Sequence, residues 1–339
     1  MFIIIYIVMS IMVCLFIFEL SMYFLLRHPE VLRRCSRKLQ NSIGYLYIQG
    51  ERKIMHFQEG CSHYHPELGY TLKPGSFVLS ETEFSNEYKI NSLGLRDSEE
   101  NLNAPEILIL GNSYALGWGV DQEMTFSKKL EAKTKCRTLN TSVPAYGTVR
   151  EMLMFRKIDR SQLKCLVLQY WGNDNEENSR YFMNNNVLQI MRPETFVKFT
   201  ELHSKEKKYF LGKYIQLKYK KKVGEWKNRS NKTPAVSSLS DVDLFINVLK
   251  QNSDLLKGLP IIVFEMNGIN QTNTFTQELK KKTSDKEQPD FIQRMIVIDM
   301  AKYLKDENFY ILDGHLNNTG HEVVADAICR ILLENDILL

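Results

Sequence analysis

Ser113, Asn173, Asp313 and His315 each stand just after an apolar run of strand length, and together they have the makings of acyl-transfer chemistry. The run Ile107 to Leu110 breaks at Gly111 and hands the chain to Asn112-Ser113. A strand that stops at a tight turn presents its next side chain at the sheet edge, where a helix N-terminus stabilises negative charge. A serine hydroxyl is a poor nucleophile until a base takes its proton, and histidine has the suitable pKa. His315 is the expected base. Two residues earlier lies Asp313, and in an extended segment residues i and i+2 project to the same side. Asp313 can then hold one imidazole nitrogen and stabilise the imidazolium while the other nitrogen faces Ser113. His321 is the rival base, but it falls at the start of the final helix, where the dipole disfavours positive charge, and it reads as a structural residue. Taken singly, each feature has an ordinary reading: Ser113 as a helix N-cap, Asn173-Asp174 and Asp313-Gly314-His315 as turns. Their joint occurrence at strand ends is what points to a site.

The elements that must carry these residues can be read from apolar periodicity. Ile107–Leu110, Cys136–Leu139, Leu163–Tyr170, Pro260–Met266 and Phe309–Leu312 are the expected strands. Phe126–Ala132, Val149–Ile158, Val242–Leu256 and Phe291–Leu304 have helical spacing between them. From Thr319 to about Leu333 the chain reads as an amphipathic helix, with Val323, Val324, Ala327, Ile328, Ile331 and Leu332 on one face. Such alternation implies an α/β fold with a central, mostly parallel sheet and helices on both faces.

Four blocks in this order resemble the SGNH/GDSL hydrolase superfamily. Gly111-Asn112-Ser113 stands where that family has Gly-Asp-Ser, and the second block is similar to LNTSVPAYGT, residues 139 to 148, with Ala145 or Gly147 near the family's glycine. The third is YWGND, with Trp171 in place of a glycine before Asn173-Asp174. The last is LDGHLNNTGH, spaced Asp-x-His. The resemblance covers about residues 105 to 339 and implies a flavodoxin-like three-layer sandwich. It implies Ser113, His315 and Asp313 as the catalytic set, and an oxyanion hole made by the N–H of Ser113, an N–H near Ala145 and the side-chain amide of Asn173. Such preorganised donors are each worth on the order of a hundredfold to a thousandfold in rate. An alanine at 145 keeps the N–H but restricts the backbone. Asn112 in place of aspartate is expected to alter the support of the turn without removing the base.

The N-terminus carries a second message. Residues 2 to 18 contain no charge, and apolar character continues past Glu19 to Leu26. That length suffices for a bilayer, which takes roughly 20 residues, and no basic start or small-residue cleavage site marks a signal peptide. Residues 1–26 are therefore expected to be an uncleaved single-pass anchor, with Glu19 near an interface. Arg27, Arg33, Arg34, Arg37 and Lys38 follow the span, which by the positive-inside rule puts the large domain on the cytoplasmic side; analogy with anchored relatives that act on envelope glycans argues for the opposite face. Residues 27–104 are expected to be a linker and a small accessory region, in which His63-Tyr-His65 and Tyr70 to Gly75 read as turns between short strands. Residues 105–339 form the expected hydrolase-like domain, with a basic insertion around 180–240 in which Lys218, Lys220, Lys221 and Lys222, interleaved with Tyr214 and Tyr219, read as a solvated face, the other reading being contact with an anionic glycan or an acidic membrane surface.

Composition narrows the classes. With 44% apolar and 25% charged residues the chain is not broadly disordered, and a net charge of +4 is too small to imply a nucleic-acid partner. Six cysteines show no metal-ligand rhythm; they read as small buried hydrophobes, with a Cys35–Cys61 disulfide as the one pairing considered. His63-x-His65 lacks a third ligand for zinc, and no phosphate loop, flavin or nucleotide motif is present, so no cofactor is expected. The expected function is a serine-dependent hydrolase of small acyl esters, acting by analogy on an acylated cell-envelope carbohydrate or a lipid. An O-acyltransferase using the same serine, or a catalytically decayed glycan-binding module, are the alternatives.

Overall fold

A computed structural model describes residues 2–205, 207–230, 239–269 and 272–338, so part of the expected basic stretch (206 and 231–238) lies outside the described residues. Two antiparallel hairpins come first, β1 (Ser62–His65) with β2 (Gly69–Leu72) and β3 (Gly75–Ser80) with β4 (Ser85–Ile90). Five parallel strands follow: β5 (Ile107–Leu110), β6 (Thr138–Asn140), β7 (Cys165–Tyr170), β8 (Ile261–Glu265) and β9 (Ile296–Ile298). Their spatial order, β6-β5-β7-β8-β9, is the 2-1-3-4-5 arrangement of a flavodoxin-like sheet. The chain is thus α/β, as its alternation implies.

Side chains of successive strand residues sort into two apolar layers, because a strand buried on both faces sends neighbours to opposite sides. Leu108, Leu110, Leu166, Leu168 and Val263 pack with the helices Thr148–Lys157, Asp241–Lys250 and Thr274–Thr283. Ile107, Ile109, Val167, Ile262 and Phe264 pack with Phe126–Thr134 and with the final helix, Asn318–Glu334. Since all five strands are parallel, the chain leaves β5, β6 and β7 at one end of the sheet, which is where Ser113, Ala145 and Asn173 fall.

Three expectations need correction. Phe309–Leu312 is not a strand: Phe309 makes a single bridge to Leu316, and the amides of Ile311, Leu312 and Asp313 donate to the Glu83 carboxyl group at 2.8–2.9 Å instead of to a ladder. The fifth strand is Ile296–Ile298, inside a segment whose apolar spacing reads as helix; three consecutive β-branched residues favour the pleated form there. His63–His65 and Tyr70–Leu72 are strand residues, not turns.

Residues 27–104, expected to be a linker and a small accessory region, pack on both the N-terminal helix and the sheet. Helix Arg37–Gly50 packs Ile43, Leu46 and Tyr47 against Met22 and Leu26 of the N-terminal helix and against Ile311 and Leu312. Leu72, Leu79 and Tyr88 join the main core layer. The N-terminal helix itself, Phe2–Arg27, is long and apolar enough to cross a membrane. All six cysteines are free, so the Cys35–Cys61 pairing does not form, and only Cys61, Cys136 and Cys165 are buried.

Arg96, just before the sheet, closes the loop that follows the serine. It is 2% exposed, and its guanidinium donates to the carbonyls of Gly117 (2.6 Å) and Val120 (2.7 Å) while lying over the Tyr88 ring. Removing it strands buried acceptors that water does not reach. Arg96→Met is expected to cost about 3 kcal/mol of stability, read as a lower denaturation midpoint of the detergent-solubilised chain; an unchanged midpoint would refute this account of the loop.

Candidate active site

The turn that carries Ser113 is built for close approach. Gly111 admits no side chain, because a Cβ there would lie 2.7 Å from the Ala115 Cβ and 2.8 Å from Gln169 Oε1. The same Gln169 oxygen accepts from the Asn112 N–H at 3.2 Å. Asn112 caps the short helix Ser113–Leu116, its side-chain oxygen accepting from the Tyr114 N–H, while its amide donates to the buried Asp174 at 3.5 Å. An amide at 112 therefore supplies a donor that an aspartate would lack, to a carboxyl group whose pKa burial pushes well up.

Ser113 Oγ lies 2.8 Å from His315 Nε2, and His315 Nδ1 is hydrogen-bonded to Asp313 Oδ1. Ser113 and the distant Asp313–His315 turn thus form one relay, with Ser113, Asp313 and His315 6%, 5% and 4% exposed. The route to this geometry differs from the expected extended segment. Gly314 adopts φ +78°, its N–H donates to Tyr310 O, and the Tyr310 N–H donates to His315 O, so Asp313 and His315 are juxtaposed by a tight turn. Positive φ is where glycine is favoured, which makes the single intervening residue of Asp-x-His a structural requirement.

The far oxygen of Asp313 has its own partners. Trp118 Nε1–H donates to Oδ2 at 3.2 Å, and Arg52 Nε sits 3.3 Å from it as an ion pair, without the alignment of a hydrogen bond. The Arg52 guanidinium also lies over the Trp118 ring. Burial alone raises the Asp313 pKa; Arg52, His315 and Trp118 outweigh it and hold the group at about 2. Burial lowers the His315 pKa, opposed by Asp313 and aided by Arg52, so the imidazole is neutral at pH 7 with Nδ1 protonated toward Asp313 and Nε2 free to accept. Tyr114 and Trp118 pack on the imidazole at ring distances of 4.4 and 5.5 Å.

His321 is not part of this relay. It is fully buried, accepts the Phe126 N–H at Nδ1 (3.1 Å), and has its pKa pushed down to about 3 by burial, consistent with a structural role at the start of helix Phe126–Thr134.

The three expected oxyanion groups share one space. Ser113, Ala145 and Asn173 line a cavity of about 370 Å³, together with Arg52, Trp118 and Trp171. Ala145 has φ +58°, the left-handed region, and so carries the strain that a glycine would not. Its carbonyl is held by Arg150 Nη2 at 2.6 Å, and Arg150 pairs with Glu177. Gly147 lies outside this cavity but lines a neighbouring one of about 550 Å³, which also reaches Ala145 and Asn173 and contains Tyr70, Arg150 and Arg180.

Arg52, Glu83, Trp118 and His56 were not visible as site residues in the sequence. Arg52 and Glu83 belong to no block; they reach the site only because helix Arg37–Gly50 and the hairpin β3–β4 pack beside residues 311–313. His56 lines the 370 Å³ cavity, and burial and the neighbouring Arg150 and Arg52 push its pKa down to about 3. Only Trp118 had a signal, being an aromatic five residues beyond the serine. Among the described residues no group of three or more His, Cys, Asp or Glu side chains converges as a metal site. No family model matches the chain, and no curated protein matches it.

Ala145→Gly should remove the left-handed strain, worth roughly 1–2 kcal/mol, against an entropic loss of about 0.5–1 kcal/mol. The expected net is a small gain, seen as a higher midpoint in denaturation; a fall in stability would show that the alanine methyl contributes packing that outweighs the strain.

Proposed function

We propose that this protein is a serine-dependent acyl-ester hydrolase of the SGNH type. The observation that carries the reading is the buried relay Ser113–His315–Asp313, in which a neutral imidazole accepts from a serine set at the strand ends. Ser113 Oγ attacks the ester carbonyl as His315 Nε2 takes its proton, and Asp313 stabilises the imidazolium. The carbonyl oxygen becomes an oxyanion beside the Ser113 N–H, the Ala145 N–H and the Asn173 amide, which line the same cavity. His315 then returns the proton to the leaving alkoxide, which departs as an alcohol. Water, deprotonated by His315, attacks the seryl ester, releases the carboxylic acid and restores Ser113.

A second outcome, transfer of the acyl group to another hydroxyl, is favoured by one feature. The 550 Å³ cavity shares Ala145 and Asn173 with the serine cavity, leaving room for an acceptor beside the acyl-enzyme. A carbohydrate hydroxyl suits its mixed lining of Tyr70, Arg150 and Arg180. An acylated carbohydrate or lipid ester of the cell envelope is the substrate class we assign, and the N-terminal helix is the single-pass anchor that keeps the enzyme at its membrane.

Two experiments test this. The full chain in detergent should be labelled by a fluorophosphonate probe at Ser113 alone, as mapped by mass spectrometry, with labelling abolished in Ser113→Ala and slowed by about 10³–10⁴ in Asp313→Asn. Absence of an adduct on folded protein would leave only the glycan-binding reading. For ester cleavage, the acid limb of kcat/KM should fall below the ordinary histidine value of 6.5, because burial lowers the His315 pKa. Arg52→Met removes a cation that lowers it further, so the limb should move to higher pH; a shift to lower pH would contradict the assigned electrostatics.

A further inference from the structure

The lysines of the charge run at 220–222 are exposed, as expected, and the helix that carries them packs against the N-terminal helix. Helix Lys213–Ser230 carries Lys218, Lys220, Lys221, Lys222, Lys227 and Arg229 against the single acid Glu225, and it is pinned to the N-terminal helix by a buried carboxylate. Glu19, wholly inaccessible, accepts the N–H groups of Tyr214 (3.1 Å) and Ile215 (3.2 Å). Those are N–H donors that the first turn of a helix leaves unpaired, and a negative charge there complements the dipole. Nearby, the Tyr209 ring packs at a tilt against Tyr23 with centroids 4.7 Å apart, Lys218 Nζ lies over the Phe18 ring and Lys221 Nζ over Tyr45.

The place of this contact along the N-terminal helix matters. Residues Phe2–Ile17 are all exposed, and packing against the rest of the protein begins at Phe18. Sixteen helical residues span about 24 Å, close to the roughly 30 Å of a hydrocarbon core. When the exposed segment fills the bilayer, Phe18, Glu19 and the start of the basic helix lie at its surface with no spacer. On the outward side of that helix, Tyr219, Lys222 and Trp226 follow at three- and four-residue steps and are exposed, as are Phe210 and Leu211 just before it. Aromatic rings at headgroup level beside lysines are the composition of an interfacial helix.

We propose that the segment from Phe210 to Trp226 is a membrane-docking surface that lies in the headgroup region of an anionic leaflet, the same one in which the N-terminal helix emerges. Its exposed Lys220, Lys221 and Lys222 meet lipid phosphates, and the exposed rings of Phe210, Tyr219 and Trp226 enter the acyl boundary. Helix Arg37–Gly50, which contributes Ile48 and Gln49 to the serine cavity, runs beside it through Gly50 and Leu217. Docking therefore fixes the cavity close to the bilayer surface, whatever reaction it performs.

The test uses the full chain in lipid nanodiscs and the fluorescence of Trp226, with lipids brominated in the acyl chain as quenchers. Wild type in discs of anionic phospholipid should be quenched more than Trp226→Phe, which retains Trp118 and Trp171. That excess should shrink in purely zwitterionic discs, at high salt and in the combined variant Lys220→Gln, Lys221→Gln, Lys222→Gln. Equal quenching of wild type and Trp226→Phe in anionic discs overturns the proposal. So does an excess that ignores lipid charge and salt, or tight binding of a soluble anionic polysaccharide to the same lysines without lipid quenching. Since the readout is independent of catalysis, its failure is distinct from a failure of Ser113 to react.

Discussion

A carboxylate taken wholly out of water survives only when every lone pair has a donor or a cation facing it, and Asp313 meets that demand from three separate parts of the chain. His315 occupies one oxygen; Trp118 and Arg52 share the other. The desolvation cost of an isolated buried charge is far larger than any single hydrogen bond returns. The chain around Asp313 is therefore as constrained as the side chain: three successive amides, from Ile311 to Asp313, converge on Glu83, whose pKa burial pushes up to about 7 despite those donors. Loss of any of these partners would move the imidazole that faces Ser113.

This constraint explains why the segment before the sheet is inseparable from the rest. Tyr47 donates to Glu81, Arg96 closes the loop after the serine, and Asp97 accepts the Asn140 N–H at the end of β6. Tyr70 donates to the Pro144 carbonyl, beside the strained Ala145. The first joins helix Arg37–Gly50 to the β3–β4 turn; the others are polar contacts between the segment before the sheet and the ends of its strands. The sheet supplies the platform for Ser113, Ala145 and Asn173; the hairpins and helix Arg37–Gly50 hold the Asp313–His315 turn over it.

The N-terminal helix is tied into the same network. Its buried Glu19 caps the basic helix at Tyr214, Tyr214 Oη–H donates to Glu51, and Glu51 precedes Arg52, the cation beside Asp313. Lys213 also pairs with Glu51 at 3.2 Å. A short run of polar contacts thus connects the place where the apolar helix meets the domain to the carboxylate of the relay.

The sequence by itself determined what depends on local pattern. Alternating apolar runs and helical spacing specify a parallel α/β sheet, since both periods follow from backbone geometry. A serine after a Gly-terminated strand and an Asp-x-His before the last helix single out Ser113, Asp313 and His315 as candidates from local pattern, although a turn at Gly314, not the expected extended segment, brings the last two together. The long apolar N-terminus is equally local. What tertiary structure decided is not fixed by local pattern alone. Ile296–Ile298 is a strand because a neighbouring strand receives it, although its flanks carry helical spacing. Phe309–Leu312 is not one, because Glu83, more than two hundred residues away, takes its amides. Arg52 and the capping role of Glu19 arise from contacts across 195 residues or more. Burial of charge is a property of the whole packed molecule, so the partners that make it tolerable emerge only when distant segments meet.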